Sequence, residues 1–583
     1  MTRSRGALWR ILAILAVFGL LAAACGDDGD GDDGDDQSSE TTAPAEDEEE
    51  EEVTPAYGGT IVVGLEAESN NWTPGPAQVA NSGLMIIGAI YDPLIALNQE
   101  GEFEPFLAED LQPNDELTEW TLTLREGVMF ADDTPLNADA IVWNFTTLHA
   151  CDTCQTAGAL SQASVTGIEK VDDLTVKYTL SEANAAFPDV LRGEAGWPVS
   201  PTAYEADPEG FTNKPIGTGP FVMTEWVRDS ETVLVRNDNY WQTDADGNQL
   251  PYLDGITFRP ITDEDSRVAS LRSGDVDMMQ TLRGNNVKQI QELMETGDFE
   301  GSLHVGNTSG SAILNVLEAP LDDLRVRQAL ALAGDSYQVQ EVLGDDGLTE
   351  PSTGFFSVDS PWYSEVAAAA YVAADGRDID AASALIEEYK NDPDRSDGKA
   401  PGEDVVVDYN CPGDPSLIQV SQLQQALWGE AGVTVNLNQV EQAAHIQNAV
   451  GSQDTTPAYR GNFIINCWRA GGGDGDPLTS LQSFFGPVAT TPGNFTNYVN
   501  PEIDEQLVIL KTNADFAARY AAVEAIGVIS GEEVPVLWSS PTPTMVGYRA
   551  AIHGVKDWTL PSGSPGTGTP GSVARFSQVF LAE

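Results

Sequence analysis

Five cysteines and four histidines hold most of the chemistry this sequence could perform, and their spacing rules out much of it. Cys151 and Cys154 form "CDTC", two residues after His149. That run reads as a redox motif, as part of a zinc site with His149, or as a local disulfide. Only three ligands are close together, and no βαβ pattern surrounds them. With Cys25 set aside, Cys151, Cys154, Cys411 and Cys467 make an even set, which in an exported chain points to disulfides. None of His149, His304, His445 and His553 is followed by Glu, so H-E-x-x-H is absent. No G-x-S-x-G elbow occurs, and Gly398-Lys399 lacks the Ser or Thr of a P-loop. Among 92 acidic residues, carboxylate pairs arise by chance. These absences argue against an enzyme, and no metal or cofactor site is expected.

Cys25 poses a different question. Arg3, Arg5 and Arg10 precede an apolar stretch, Ile11 to Ala24, which closes on three alanines. This is the layout of an export signal over residues 1–24, too short to span a bilayer that needs about 20 apolar residues. "LAAAC" is similar to a bacterial lipobox, in which the cysteine is lipidated and becomes the new N-terminus, with Ala22 where Leu is usual. The other reading is cleavage after Ala24 and release of a free protein. A free exposed cysteine is a liability in a secreted chain, which favours lipid on Cys25. Residues 25–56 are then an acidic tether with too little apolar content to fold. The expected location is outside the cytoplasm, on the outer face of the cell membrane.

The formal charge of −64 extends beyond that tether. It repels nucleic acid and bare anionic membrane. Solubility is the simpler reading and a preference for cationic solutes the sharper one.

From Tyr57 onward the composition is globular, and the length calls for at least two cores. "GTIVVGL" (59–65) predicts a buried strand, and "EWTLTLREGVMF" (119–130) a half-buried strand pair. Residues 135–148 predict a helix opened by Asn137, and 265–274 a helix closed by Gly274. After residue 320 come an amphipathic helix (320–335), a strand (404–410), a helix (415–432) and strands at 433–440 and 462–468. Strand–helix–strand order implies a parallel α/β sheet. From Val534 the pattern predicts short strands between Gly/Pro loops.

Several motifs then fall in one order. They are "IYDPLI" (90–95), "PFLAEDL" (105–111), "WTLTLREGVMFADDTPLNADAIVWNF" (120–145), "GTGPFVMTEW" (217–226), "RNDNYW" (236–241), "SGDVD" (273–277), "PLDDLRVRQALALAGD" (320–335), "CWRAGGGDGDP" (467–477) and "AARYAAVEAIGVISGEEVPVL" (517–537). Together they resemble family 5 of the solute-binding proteins of bacterial ABC importers, the dipeptide, oligopeptide and nickel-binding group. Asp133 stands where that family has Gly, and Gly334 where it has Ile.

The resemblance implies a two-lobed periplasmic binding protein of type II-like α/β fold. Lobe I would comprise 57–305 and 541–583, with a subdomain inserted near 99–199; lobe II would be 306–540. The hinge would cross near 306 and 540, and ligand would close the lobes. The implied function is capture of extracellular peptides by a monomer that hands them to ABC permease subunits with their ATPase. Alternatives are a nickel chelate, an oligosaccharide, haem, or a sensing role. In peptide-binding relatives an Asp in the loop after the strand-end Trp holds the ligand amine. Asp474 matches it and Asp476 is the fallback; for Asp474, capping a turn is an equal reading. Trp468 would wall the cleft or pack in the core. Arg469 would meet a carboxylate or carbonyl, or a nearby acid. Glu68, Asn70 and Trp72 follow the first strand, where ligands of α/β sheets sit. The family fold also makes the strands ending at Cys411 and Cys467 neighbours, implying that disulfide and leaving Cys151–Cys154 as a local one.

Overall fold

Ten strands join in one mixed sheet, the largest element of the computed structural model, which describes residues 53–77, 79–150, 154–450, 461–468, 475–487 and 494–582. From one edge to the other the order is Val433–Val440, Val405–Pro412, Ile465–Trp468, Phe299–Leu314, Val536–Arg549, Met278–Thr281, Thr60–Leu65, Gly255–Pro260, Glu231–Arg236 and Phe221–Val227. Near one edge Val405–Pro412 runs parallel to both of its neighbours, and helix Pro415–Glu430 makes the crossover. Toward the other edge Thr60–Leu65 is parallel to both neighbours. The α/β class expected from the strand–helix–strand order is therefore present.

The middle of the sheet is antiparallel. Phe299–Leu314 and Val536–Arg549 pair from Phe299↔Arg549 to Val305↔Pro543, and again from Ser311↔Trp538 to Ile313↔Val536. The ladder is irregular between these runs, where Pro541 and Pro543 lack the N–H that pairing needs. The prolines made the tail read as short strands. It is instead one 14-residue strand, almost wholly buried, because Val, Leu, Met and Trp side chains outweigh the lost bonds.

Buried apolar side chains separate into distinct clusters. One is drawn from Ala312 to Trp538, with Ala186. A second combines Ile61 to Phe258 with Val546 to Val579. A third, from Leu94 to Leu191 with Trp558 and Leu560, lies under a four-stranded antiparallel sheet. That sheet holds Ala108–Pro113, Glu119–Leu124, Thr175–Leu180 and Val165–Lys170 in this order. Only the first half of the expected strand pair at 119–130 is a strand. Gly127 adopts φ +83° and turns the chain, leaving Met129 a single bridge to Pro135.

Helix boundaries follow local chemistry. Asn137 accepts the N–H of Ala140 and opens Ala138–Trp143. Asp263 caps Glu264–Ser273, and Gly274 closes it in the left-handed region. The helix expected over 320–335 begins at Leu324, because Asp323 caps it.

The motifs quoted above meet at one buried carboxylate. Asp92 accepts from the indole N–H of Trp241 at 2.8 Å and the hydroxyl of Tyr240 at 3.1 Å. Arg575 supplies the opposing charge, its guanidinium 5.0 Å from the ring centres of Phe106 and Trp558. Burial pushes the Asp92 carboxyl up to about 6, against the pull of these partners. A Cβ on Gly217 or Gly219 would collide with the backbone at Ile90 and with Tyr91. "YDPL", "GTGP" and "RNDNYW" thus hold the fold together.

Cys411 and Cys467 form a disulfide between adjacent parallel strands, Cα to Cα 5.3 Å. The Cys151–Cys154 expectation lies outside the described residues, because Cys151 is not among them. The same holds for the signal segment and Cys25. Among the described residues no helix is long and apolar enough to cross a membrane, and no group of three His, Cys, Asp or Glu could hold a metal.

Candidate functional site

The strand Ile465–Trp468 ends just before Arg469; Arg469 and Asp474 lie outside the described residues, which resume at Gly475. Asp476 then caps helix Pro477–Phe485 by accepting the N–H of Leu478 at 2.9 Å. Both its oxygens also lie 2.6 Å from Arg519 Nη2. Asp476 is buried, with its acceptor capacity directed at the protein's own groups.

Gly475 packs against a second charged group. A Cβ there would strike the Arg192 guanidinium and the Asp189 carboxylate, so any larger residue would have to displace that pair. Helix Phe187–Arg192 presents this pair, with Arg192 Nε donating to Asp189 at 2.8 Å. The hydroxyl of Thr479 donates to the other Asp189 oxygen at 3.0 Å. Glu194 follows, accepting the N–H of Gly75 at 3.0 Å, and burial pushes its carboxyl up. These residues line a pocket of about 250 Å³ formed between residues 156–195 and 478–482. A groove of about 590 Å³ shares Gln162 and Gln482 with it and runs toward Asp504 and Lys511. Lys511 Nζ donates to Ser164 Oγ at 2.6 Å and pairs with Glu182 at 3.0 Å. The groove walls come from both sides of the chain's division into separate cores. Two acids and one base line the smaller pocket, which suits a ligand with a cationic end.

The remaining predicted residues divide. Glu68 accepts from the Trp226 indole at 2.7 Å and from the N–H of Asp229 at 3.0 Å. Asn70 is exposed, and its carbonyl accepts from Arg228. Trp72 is fully buried, edge-on to Trp226 with centroids 5.4 Å apart. That segment reaches the pocket through Gly75 instead. Trp468 is half-buried, stacked on His445 and tilted against Phe495. Asp189, Arg192, Glu194 and Thr479 were not singled out in the sequence. "FPDVLRGEAG" has no spacing that marks it, and Thr479 comes to it from 290 residues away.

The ten-stranded mixed sheet with its flanking helices, beside which this polar groove opens, is the α/β periplasmic-binding-protein fold. The profile described as bacterial extracellular solute-binding proteins, family 5, middle region, matches residues 102–492. The chain belongs to that family, whose members are transport receptors rather than enzymes, and it is the solute-binding component of an ABC importer. It is similar to the glutathione-binding protein GsiB of Salmonella typhimurium, 25% identical over 460 residues, 77% of this chain and 83% of the relative. Its fold matches the binding protein AgaA of A. tumefaciens with agropinic acid, TM-score 0.74, 21% identical, 90% of this chain and 99% of that one. It also matches DppA of Helicobacter pylori with the peptide STSA, TM-score 0.73, 20% identical, 91% of this chain and 99% of that one.

Proposed function

We propose that this receptor captures short extracellular peptides by their free amine and delivers them to a membrane permease, tethered by lipid on Cys25. The observation that supports this most is the acidic pocket beside Gly475. Asp189 and Glu194 line it, and Gly475, the residue after Asp474 in sequence, packs against Asp189. An ammonium entering there meets Glu194 beside the Asp189–Arg192 pair, in a setting partly shielded from water where charge-assisted hydrogen bonds are strong. Peptide main chain and amine are the parts all peptides share, so such a site reads the class rather than the sequence.

Closure of two lobes belongs to the same reading. Lobe I is 57–305 with 541–583, and lobe II is 306–540. The irregular ladder at Val305–Ser311 is the hinge between them. Arg283, donating to Glu264 at 2.9 Å and to Asp414 at 2.8 Å, ties the lobes in the closed arrangement.

Mass spectrometry of ligand released from the purified protein identifies the solute. Calorimetry with free and N-acetylated tripeptides then tests the amine. Asp474→Ala is expected to weaken the free peptide and leave the acetylated one unchanged. Equal loss for both, or release of a nickel chelate, sugar or haem, overturns the reading. GsiB and AgaA bind glutathione and agropinic acid by their names, so an amino-acid conjugate is the alternative those relatives favour.

A further inference from the structure

A cavity of about 200 Å³ lies within the cluster built from Ala312 to Trp538 and shares no lining residue with the groove beside Gln482. Sheet strands floor it through Tyr409, Cys467 and Leu537. Helix Pro415–Glu430 roofs it with Leu417, Val420, Gln424 and Trp428. These four positions follow the i, i+3, i+7, i+11 spacing of one helix face. Three are apolar, as a core-facing stripe should be. The fourth is a glutamine.

Gln424 Oε1 is buried and has no hydrogen-bond partner. An amide carbonyl in that state is costly, and most buried polar atoms in proteins are paired. A leucine would fill the helix face better. The indole N–H of Trp428 gives no help, because it donates to the carbonyl of Leu330 at 3.1 Å. Tyr371 adds a second aromatic wall. The entrance is bordered by Asp335, Tyr337 and Arg377, with Tyr337 exposed.

We infer that this cavity is a second binding site, which takes a compact aromatic group carrying one N–H or O–H donor aimed at Gln424 Oε1. The volume accommodates one indole or phenol ring and little more. Aromatic and aliphatic walls select a planar group, and among the polar groups that also line the cavity Gln424 Oε1 and Ser311 Oγ are both buried without a partner, so either can orient its donor. The group belongs either to a free small molecule or to a Trp or Tyr side chain of a captured peptide. In both cases the recognition is the same.

Calorimetry of the full chain with indole and with 1-methylindole tests this. Indole is expected to bind five- to tenfold more tightly, the worth of one buried hydrogen bond. Gln424→Met keeps the bulk and removes the acceptor, and is expected to abolish the preference while leaving 1-methylindole affinity unchanged; a preference that survives overturns the assignment to Gln424 in favour of Ser311 Oγ. The same pair of measurements on Ala-Trp-Ala and its 1-methyl-tryptophan analogue identifies the source. A preference in the peptides but not in the free rings assigns the site to the captured ligand. A preference in the free rings assigns it to a separate small molecule. No preference in either pair on the wild-type protein overturns the inference, and needs no variant to do so. Failure of every peptide to bind, with indole still preferred, would refute the peptide reading of the groove and leave this site standing.

Discussion

Replacing Asp476 separates a structural carboxylate from a ligand-binding one. Asp476→Ala removes both bonds to Arg519 and the cap on helix Pro477–Phe485. Arg519 is itself largely enclosed, its side chain 11% exposed, so its charge would be stranded. Breaking a buried pair from one side costs about 3–5 kcal/mol, and losing an Asp cap about 1 kcal/mol. The single variant should therefore lose about 4–6 kcal/mol in urea unfolding followed by tryptophan fluorescence. Arg519→Met should cost several kcal/mol for the mirrored reason. The double variant Asp476→Ala/Arg519→Met should cost much less than the two together, because no charge is left unpaired. Additive losses would show that the two side chains do not act as a pair. A loss below about 1 kcal/mol for Asp476→Ala, with ligand affinity abolished, would refute the structural role and move the amine site onto Asp476.

Other outcomes follow from the same structure. Cys411→Ser with Cys467→Ser should lower stability by about 4 kcal/mol, from loop-closure entropy over a separation of 56 residues; an unchanged urea midpoint would contradict it. Asp92→Ala should cost at least 3 kcal/mol, since Arg575 loses its counter-charge and Tyr240 and Trp241 lose an acceptor; a change under 1 kcal/mol by thermal melting would contradict it. His149 is buried beside Thr156, and burial lowers its pKa from 6.5 to about 4. Protonation then favours the unfolded chain, so stability is full above pH 6.5 and falls toward pH 4, by at most about 1.4 kcal/mol per pH unit. His149→Gln should flatten that window, and an unaltered slope would assign it to other groups. Arg283→Met should enlarge the radius of gyration of the ligand-free protein in small-angle scattering; an unchanged radius would show that Arg283 does not hold the lobes together.

Local chemistry carried far into this fold. Asn137, Asp263 and Gly274 mark helix ends because each satisfies backbone groups within a few residues. The parallel arrangement at Val405–Val440 follows from one helix between two strands. What failed depended on distant partners. Pro541 and Pro543 looked like breaks, and only the long strand beside them shows that the chain continues through. Trp72 and Glu68 lay where an α/β sheet binds ligands, yet Trp226, 154 residues beyond Trp72, gives both a partner inside the protein. Asp189 and Glu194 were unreadable because nothing in "FPDVLRGEAG" foretells a loop arriving from near residue 475. The quoted motifs identified the family while building Asp92's surroundings, so sequence likeness located the scaffold better than the site.

The two long strands at the centre of the sheet would limit how the proposed lobes move. Phe299–Leu314 and Val536–Arg549 are bonded to each other on both sides of the irregular stretch, and each is bonded again to an outer neighbour. A single strand would let the halves swivel and slide. A double strand resists twist and shear but bends easily where its bonds lapse. On the proposed two-lobe reading, such a joint would act as a leaf spring with one soft direction, and capture would be a one-coordinate event in which the groove walls meet along a single arc.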